Sequence, residues 1–256
     1  MANLFDLTGK TAIVTGSSKG IGKAIAHRLA EQGANVVISS RKLDACEEAV
    51  KEINDLVGRK ATIAVAANIA VKEALQTLVD ETNKAFGQID ILVCNAASNP
   101  YFGPMGNMAD DQFHKILQNN IVSNHWLIQM VAPQMRARKD GAIILVSSIA
   151  GVRGTPVIGA YGISKAADMQ LARNLAAEFG PDNIRVNTIA PGLVKTDFAR
   201  ALWENPDILK SATSRSPLGR IGEPDEIAGM AVFLAGKAGA FTTGQTFVID
   251  GGQTAV

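Results

Sequence analysis

Tyr161 and Lys165 stand four apart in the run Tyr161-Gly-Ile-Ser-Lys165, a spacing that puts both side chains on one face of a helix. A phenol titrates near ~10 and is a poor proton donor or acceptor at neutrality. A cation held beside it favours the phenolate and brings it towards the range useful for acid–base work. Ser148, thirteen residues upstream of Tyr161, follows the strand-like run at residues 142–147, where its hydroxyl could orient a carbonyl oxygen beside the phenol. A Tyr and a Lys at this spacing more often simply pack on a helix surface. The chemistry therefore needs a second feature elsewhere in the chain.

The glycines near the N-terminus supply one. Residues 10–15, Lys-Thr-Ala-Ile-Val-Thr, read as a short apolar strand, and Gly16-Ser-Ser18-Lys19-Gly20-Ile21-Gly22 follows directly. Ile21, Ile25, Ala26 and Leu29 then recur at helical spacing up to Gly33. A strand, a glycine turn and a helix N-terminus make a phosphate cradle, because glycine lets the backbone approach closely and the free N–H groups face the anion. The spacing is G-x-x-x-G-x-G rather than G-x-G-x-x-G. With Ser148, Tyr161 and Lys165, it resembles the short-chain dehydrogenase/reductase family over nearly the whole chain.

That resemblance implies a single α/β domain over residues 1–256. It would hold one doubly wound, Rossmann-type parallel sheet of about seven strands, ordered 3-2-1-4-5-6-7, with helices on both faces. The remaining strands are expected at residues 35–39, 61–66, 90–94, 142–147, 183–190 and 245–250. Helices are expected over 43–57, 72–86, 110–138 (bent near Pro133) and 224–234. The resemblance also implies hydride transfer between a nicotinamide and a ketone, aldehyde or secondary alcohol. Tyr161 would be the proton donor, Ser148 the partner of the carbonyl oxygen, and Lys165 the ligand of the nicotinamide ribose. Asn120, in the register Asn120-Ile-Val-Ser123, matches an Asn that holds a water linking the lysine to solvent. Asn68 and Ile69 would meet the adenine, with Asn68 standing where the family usually has Asp. Asn95 and Ala96 would pack beside the cofactor, in a motif that departs from the family's Asn-Asn-Ala-Gly at Cys94 and Ala97. Pro191, Gly192, the Val194 backbone and the Thr196 hydroxyl would clasp the nicotinamide amide.

Cofactor choice can be read at the end of the second strand. In a dinucleotide fold, an acid at this point holds the ribose 2′-hydroxyl, whereas cations accommodate a 2′-phosphate. Ser40 occupies the place of the acid, Arg41 is next, and Lys19 can reach in from the glycine loop. NADP(H) is the expected cofactor. Two Pro- and Gly-bearing loops and a long segment, residues 193–216, leave the sheet where ligands of open α/β folds bind. Tyr101, Phe102, Val157, Phe198, Leu202 and Trp203 are the expected pocket, and residues 193–216 the expected lid over an apolar or aromatic carbonyl substrate. A 3-oxoacyl-(acyl carrier protein) reductase is the alternative enzyme, with Arg136, Arg138 and Lys139 as a modest docking face. A non-catalytic NADP(H) sensor is the alternative outside catalysis.

Bulk properties narrow the field. Lys and Arg number 25 against 24 Asp and Glu, which gives no basic field for nucleic acid or an anionic membrane. Hydrophobic residues make up 47% and aromatics only 5%, as suits an aliphatic sheet core covered by helices. Cys46 and Cys94 read as reduced thiols, residues 1–6 show no leader pattern, and a cytoplasmic location is expected. His27, His114 and His125 share no metal-ligand spacing, so no metal is expected. Small residues along the Tyr161 helix (Ala160, Ala166, Ala167 and Ala172) fit a helix shared between subunits, and the family resemblance implies a homotetramer.

Overall fold

The computed structural model describes residues 3–256. Its strands are β1 (Thr11–Thr15), β2 (Asn35–Ser39), β3 (Thr62–Ala64), β4 (Ile91–Cys94), β5 (Gly141–Val146), β6 (Ile184–Pro191) and β7 (Thr246–Ile249). All pair in parallel, in the order β3-β2-β1-β4-β5-β6-β7. The connecting helices are α1 (Gly20–Glu31), α2 (Leu43–Val57), α3 (Lys72–Phe86), α4 (Asp110–Leu117), α5 (Ser123–Arg138) and α6 (Gly159–Phe179). After β6 come α7 (Arg200–Trp203), α8 (Pro206–Ser214) and α9 (Pro224–Ala235).

Alternation along the strands divides the core in two, since successive side chains point to opposite faces. Ala12 and Val14 pack with Ile25 and Leu29 of α1, Ile53 of α2 and Ile227 and Ala231 of α9. Ile13 turns the other way, towards Leu78 of α3, Ile128 and Val131 of α5 and Leu175 and Phe179 of α6. Each of the larger aliphatic and aromatic side chains among these, fully out of water, contributes roughly 1.5–3 kcal/mol. With both faces covered, the middle strands are apolar almost throughout, which is why they are legible as continuous runs.

Four local features differ from the sequence expectation. β3 is an edge strand with only β2 beside it and spans three residues, although Val65 and Ala67 still donate to the Ile38 and Ser40 carbonyls. The long helix is interrupted not at Pro133, which α5 accommodates, but by a π-helical turn at Gln118–Val122. Residues 193–216 are largely helical, carrying α7 and α8. Of the four alanines expected to line a shared face of α6, Ala160 and Ala172 are buried, which leaves Ala166 and Ala167 further out.

Candidate active site

The order in which strands are added reverses between β1 and β4, and there the carboxyl ends of the strands open a cleft of about 1640 Å³. The glycine loop forms one wall. Gly22 has no room for a side chain, because a Cβ there would lie 2.4 Å from the Gly16 carbonyl oxygen and 2.5 Å from Asn95 Nδ2. Asn95 Nδ2 donates to the Thr15 and Gly16 carbonyls, at 2.9 and 3.1 Å, which ties the end of β4 to the loop. Lys19 precedes α1 in extended conformation, and no side chain caps that helix. Its first amides are therefore left for an anion. This open, tightly packed cradle fits a dinucleotide pyrophosphate. Every residue singled out for the cofactor, from Gly16 and Ser18 through Ser40, Arg41, Asn68 and Ile69 to Val194 and Thr196, lies on the cleft wall.

Ser148, Tyr161 and Lys165 meet at the centre of the same cleft. Two glycines set their approach. A Cβ on Gly162 would lie 2.7 Å from the Ala150 carbonyl oxygen, and one on Gly151 would lie 2.7 Å from the Ala166 nitrogen. The turn after Ser148 thus packs backbone-to-backbone on the first turns of α6, further fixed by a 2.7 Å hydrogen bond from Ser147 Oγ to the Lys165 carbonyl. Burial pushes the Tyr161 phenol up, and the Lys165 cation and the Ser148 hydroxyl pull it down without prevailing. In this state, Tyr161 is a protonated group beside a second hydroxyl. A carbonyl oxygen placed between them would accept from both.

Lys165 is only 2% exposed, and its ammonium donates to the Val146 carbonyl at 2.8 Å and to Asp168 Oδ2 at 3.1 Å. Burial alone would push this ammonium down, but Asp168 and Tyr161 outweigh it and the net direction is up. Asp168 and its neighbour Asn124 were not singled out in the sequence. The only signal was an acid three residues beyond Lys165 on an otherwise apolar helix face. Asn120 does not reach the cleft. Its side-chain oxygen accepts from Ser98 N at 2.8 Å, its amide donates to Ser98 O at 3.1 Å and Ser164 Oγ at 3.0 Å, and its main-chain carbonyl accepts from Asn124 at 2.7 Å. Asn119 is the residue of the pair that lines the cleft.

The outer part of the cleft is apolar at Phe102, Ile158, Phe198, Leu202 and Ile208, with Arg153 and Arg215 at its polar edge. Phe198 packs against the phenol, with ring centroids 6.1 Å apart. Tyr101, Val157 and Trp203 stand outside this lining: the Tyr101 hydroxyl turns back onto the Pro104 carbonyl and Trp203 Nε1 onto the Thr196 carbonyl, each at 2.8 Å. The Val157 carbonyl accepts from Gly103 N and joins the two pocket loops. Ile208, Arg153 and Arg215 were missed, since none belongs to a motif and only folding carries them to the site. At the mouth, Lys19 reaches across to Asp197, which follows Thr196, at 2.9 Å.

A doubly wound sheet with a glycine cradle beside paired hydroxyls and a buried lysine is the architecture of a dinucleotide-dependent oxidoreductase. Comparison with known proteins narrows the class. A family model described as enoyl-(acyl carrier protein) reductase matches residues 16–254. Dehydrogenase/reductase SDR family member 4 of Bos taurus is 40% identical over 253 residues, covering 99% of this chain and 90% of the relative. The Caenorhabditis elegans protein of that name is 38% identical, covering 96% of each. Among solved structures, gluconate 5-dehydrogenase from Burkholderia cenocepacia, in complex with NADP and tartrate, is 33% identical with a TM-score of 0.93, covering 99% of this chain and 98% of the other. A 7α-hydroxysteroid dehydrogenase complexed with NADH and 7-oxo glycochenodeoxycholic acid is 36% identical, also with a TM-score of 0.93, covering 98% of each chain. The chain belongs to the short-chain dehydrogenase/reductase family and is an oxidoreductase of that family.

Proposed function

We propose that this protein is an NADPH-dependent carbonyl reductase acting on apolar or aromatic ketones and aldehydes, and on the corresponding secondary alcohols in reverse. The observation that carries the reading is the convergence of Ser148, Tyr161 and Lys165 on one cleft between the glycine loop and the α7–α8 segment. Bound there, the reduced cofactor supplies hydride to the carbonyl carbon. Tyr161 gives its proton to the substrate oxygen, and Ser148 hydrogen-bonds that oxygen as negative charge grows on it. Lys165 has three N–H donors, of which two are engaged by Val146 and Asp168. The third is available to the nicotinamide ribose.

Preference for the phosphorylated cofactor is supported by charge. No acid stands at Ser40, and Arg41 lines the cleft next to it with no ion-pair partner among the described residues. Lys19 would leave Asp197 for the 2′-phosphate. The acyl-carrier-protein alternative loses support from the basic face it requires: Arg136 is paired with Asp182 at 2.6 Å, and Arg138 donates to the Ile89 carbonyl at 2.6 Å. Phe198, Phe102 and Leu202 instead offer apolar contact to a free substrate. The test is oxidation of NADPH, with NADH in parallel, across aryl ketones, diketones and 3-oxoacyl thioesters. Turnover of aryl ketones or diketones with NADPH is expected, and turnover confined to the thioesters would overturn the substrate assignment.

A further inference from the structure

Asp168 is a carboxylate wholly removed from solvent inside α6, one turn beyond Lys165. Burying a charge is costly unless it is paired and hydrogen-bonded, so such a group needs an account. Both of its oxygens accept hydrogen bonds: Oδ2 from the Lys165 ammonium at 3.1 Å and Oδ1 from Asn124 Nδ2 at 3.0 Å. Burial pushes this carboxyl up, and the Lys165 ammonium and the hydrogen bonds from Lys165 and Asn124, which suit the ionised form, oppose that rise. The same Asn124 amide donates to the main-chain carbonyl of Asn120 at 2.7 Å, within the π turn that interrupts the long helix. A chain of hydrogen bonds therefore runs from the Asn120 main-chain carbonyl through the side chains of Asn124 and Asp168 to Lys165. The ionisable groups facing this carboxylate are Lys165 and Tyr161 on its own helix and the buried Cys94 thiol at the end of β4. Of these, Lys165 alone is cationic.

We propose that Asp168 is a positioning residue of the proton-transfer step, which anchors the Lys165 ammonium and offsets its charge so that Tyr161 rests as the protonated donor that carbonyl reduction requires. The inference rests on Tyr161 being that donor. In the reduction, the Tyr161 O–H bond breaks and the substrate oxygen takes the proton, with hydride drawn from NADPH. The reverse reaction needs the phenolate. An uncompensated Lys165 would favour the phenolate, and a lysine paired with a buried carboxylate does so far less. The direction at Tyr161 agrees: burial pushes the phenol up, Lys165 opposes, and Asp168 adds to the rise.

The chain has only two tyrosines, Tyr101 and Tyr161, which allows a direct measurement. In a Tyr101→Phe background, the near-ultraviolet absorbance of tyrosinate reports Tyr161 alone, in the full-length protein without cofactor. The phenol is expected to titrate at or above its ordinary value of ~10. Asp168→Asn preserves shape and removes the charge, and it should move that titration down by about one pH unit or more. In the cofactor-loaded enzyme, the alkaline decline of ketone reduction should move down with it, and alcohol oxidation should start at lower pH. An unshifted titration in folded Asp168→Asn, or equal loss of activity at every pH, would assign Asp168 to the scaffold alone and overturn the proposal. Should Asp168→Asn fail to fold, the parent protein decides: titration of Tyr161 below its ordinary value of ~10 overturns the proposal without the variant. These titrations do not depend on turnover, so they fail separately from the assignment of Tyr161 as donor.

Discussion

The Tyr161 hydroxyl is one oxygen on a ring packed against Phe198 and beside a buried lysine, so removing it disturbs little else. Tyr161→Phe should fold and bind NADPH as before while its reduction rate falls by about 100- to 10,000-fold, the span of a positioned general acid. A variant that keeps a tenth of the parent kcat would remove Tyr161 from that role. Cofactor choice is decided at the same scale. A hydrogen bond to a charged group contributes ~1.5–3 kcal/mol, roughly 10- to 150-fold in affinity. Lys19→Ala should therefore weaken NADPH and barely touch NADH, and Ser40→Asp should move the ratio of kcat/KM values towards NADH. Equal losses with both cofactors from Lys19→Ala would refute the phosphate pocket. Tyr161 and Lys165 were legible because a helix turns a spacing of four into adjacency. Asp168 and Asn124 were not, because their meaning lies in a contact between α5 and α6 that no local pattern records.

At the scale of elements, placement of the site depends on how closely α6 approaches the turn after β5. Gly162→Val would drive a branched side chain into the Ala150 carbonyl, which a Cβ alone already meets at 2.7 Å. Overpacking of this kind costs about 1–3 kcal/mol. It should lower Tm and reduce kcat by separating Ser148 from Tyr161, with cofactor affinity, set on the far wall, much less affected. Thermal melts and fluorescence titration with NADPH check both halves, and unchanged kcat would show that the contact does not govern the site. The main strands and α2 and α3 were legible from their apolar patterns. The break in the long helix was not. Pro133 is the evident breaker, whereas the π turn exists because Asn120 is drawn to Ser98, Ser164 and Asn124 at once. Residues 193–216 showed no periodicity because α7 and α8 are short and pack on a cleft rather than on the sheet.

At the scale of the whole molecule, large apolar side chains stand exposed at two places that could meet other subunits. One includes Ile163 on the outer side of α6, and the other the β7 edge with Val248, Leu218 and the fully exposed Phe241. Two independent faces, each pairing about its own two-fold, close into four subunits. Light scattering at micromolar concentration should report four chain masses, and a monomer would exclude this. The strand order itself bears on how the chain is made. β2 adds beside β1, β3 beside β2, β4 on the free side of β1, and β5, β6 and β7 then follow outward one after another. No strand has to be inserted between two that are already paired. A nascent chain can therefore lay down the sheet in the order in which the ribosome releases it, always at an open edge, with β7 the last strand to be added.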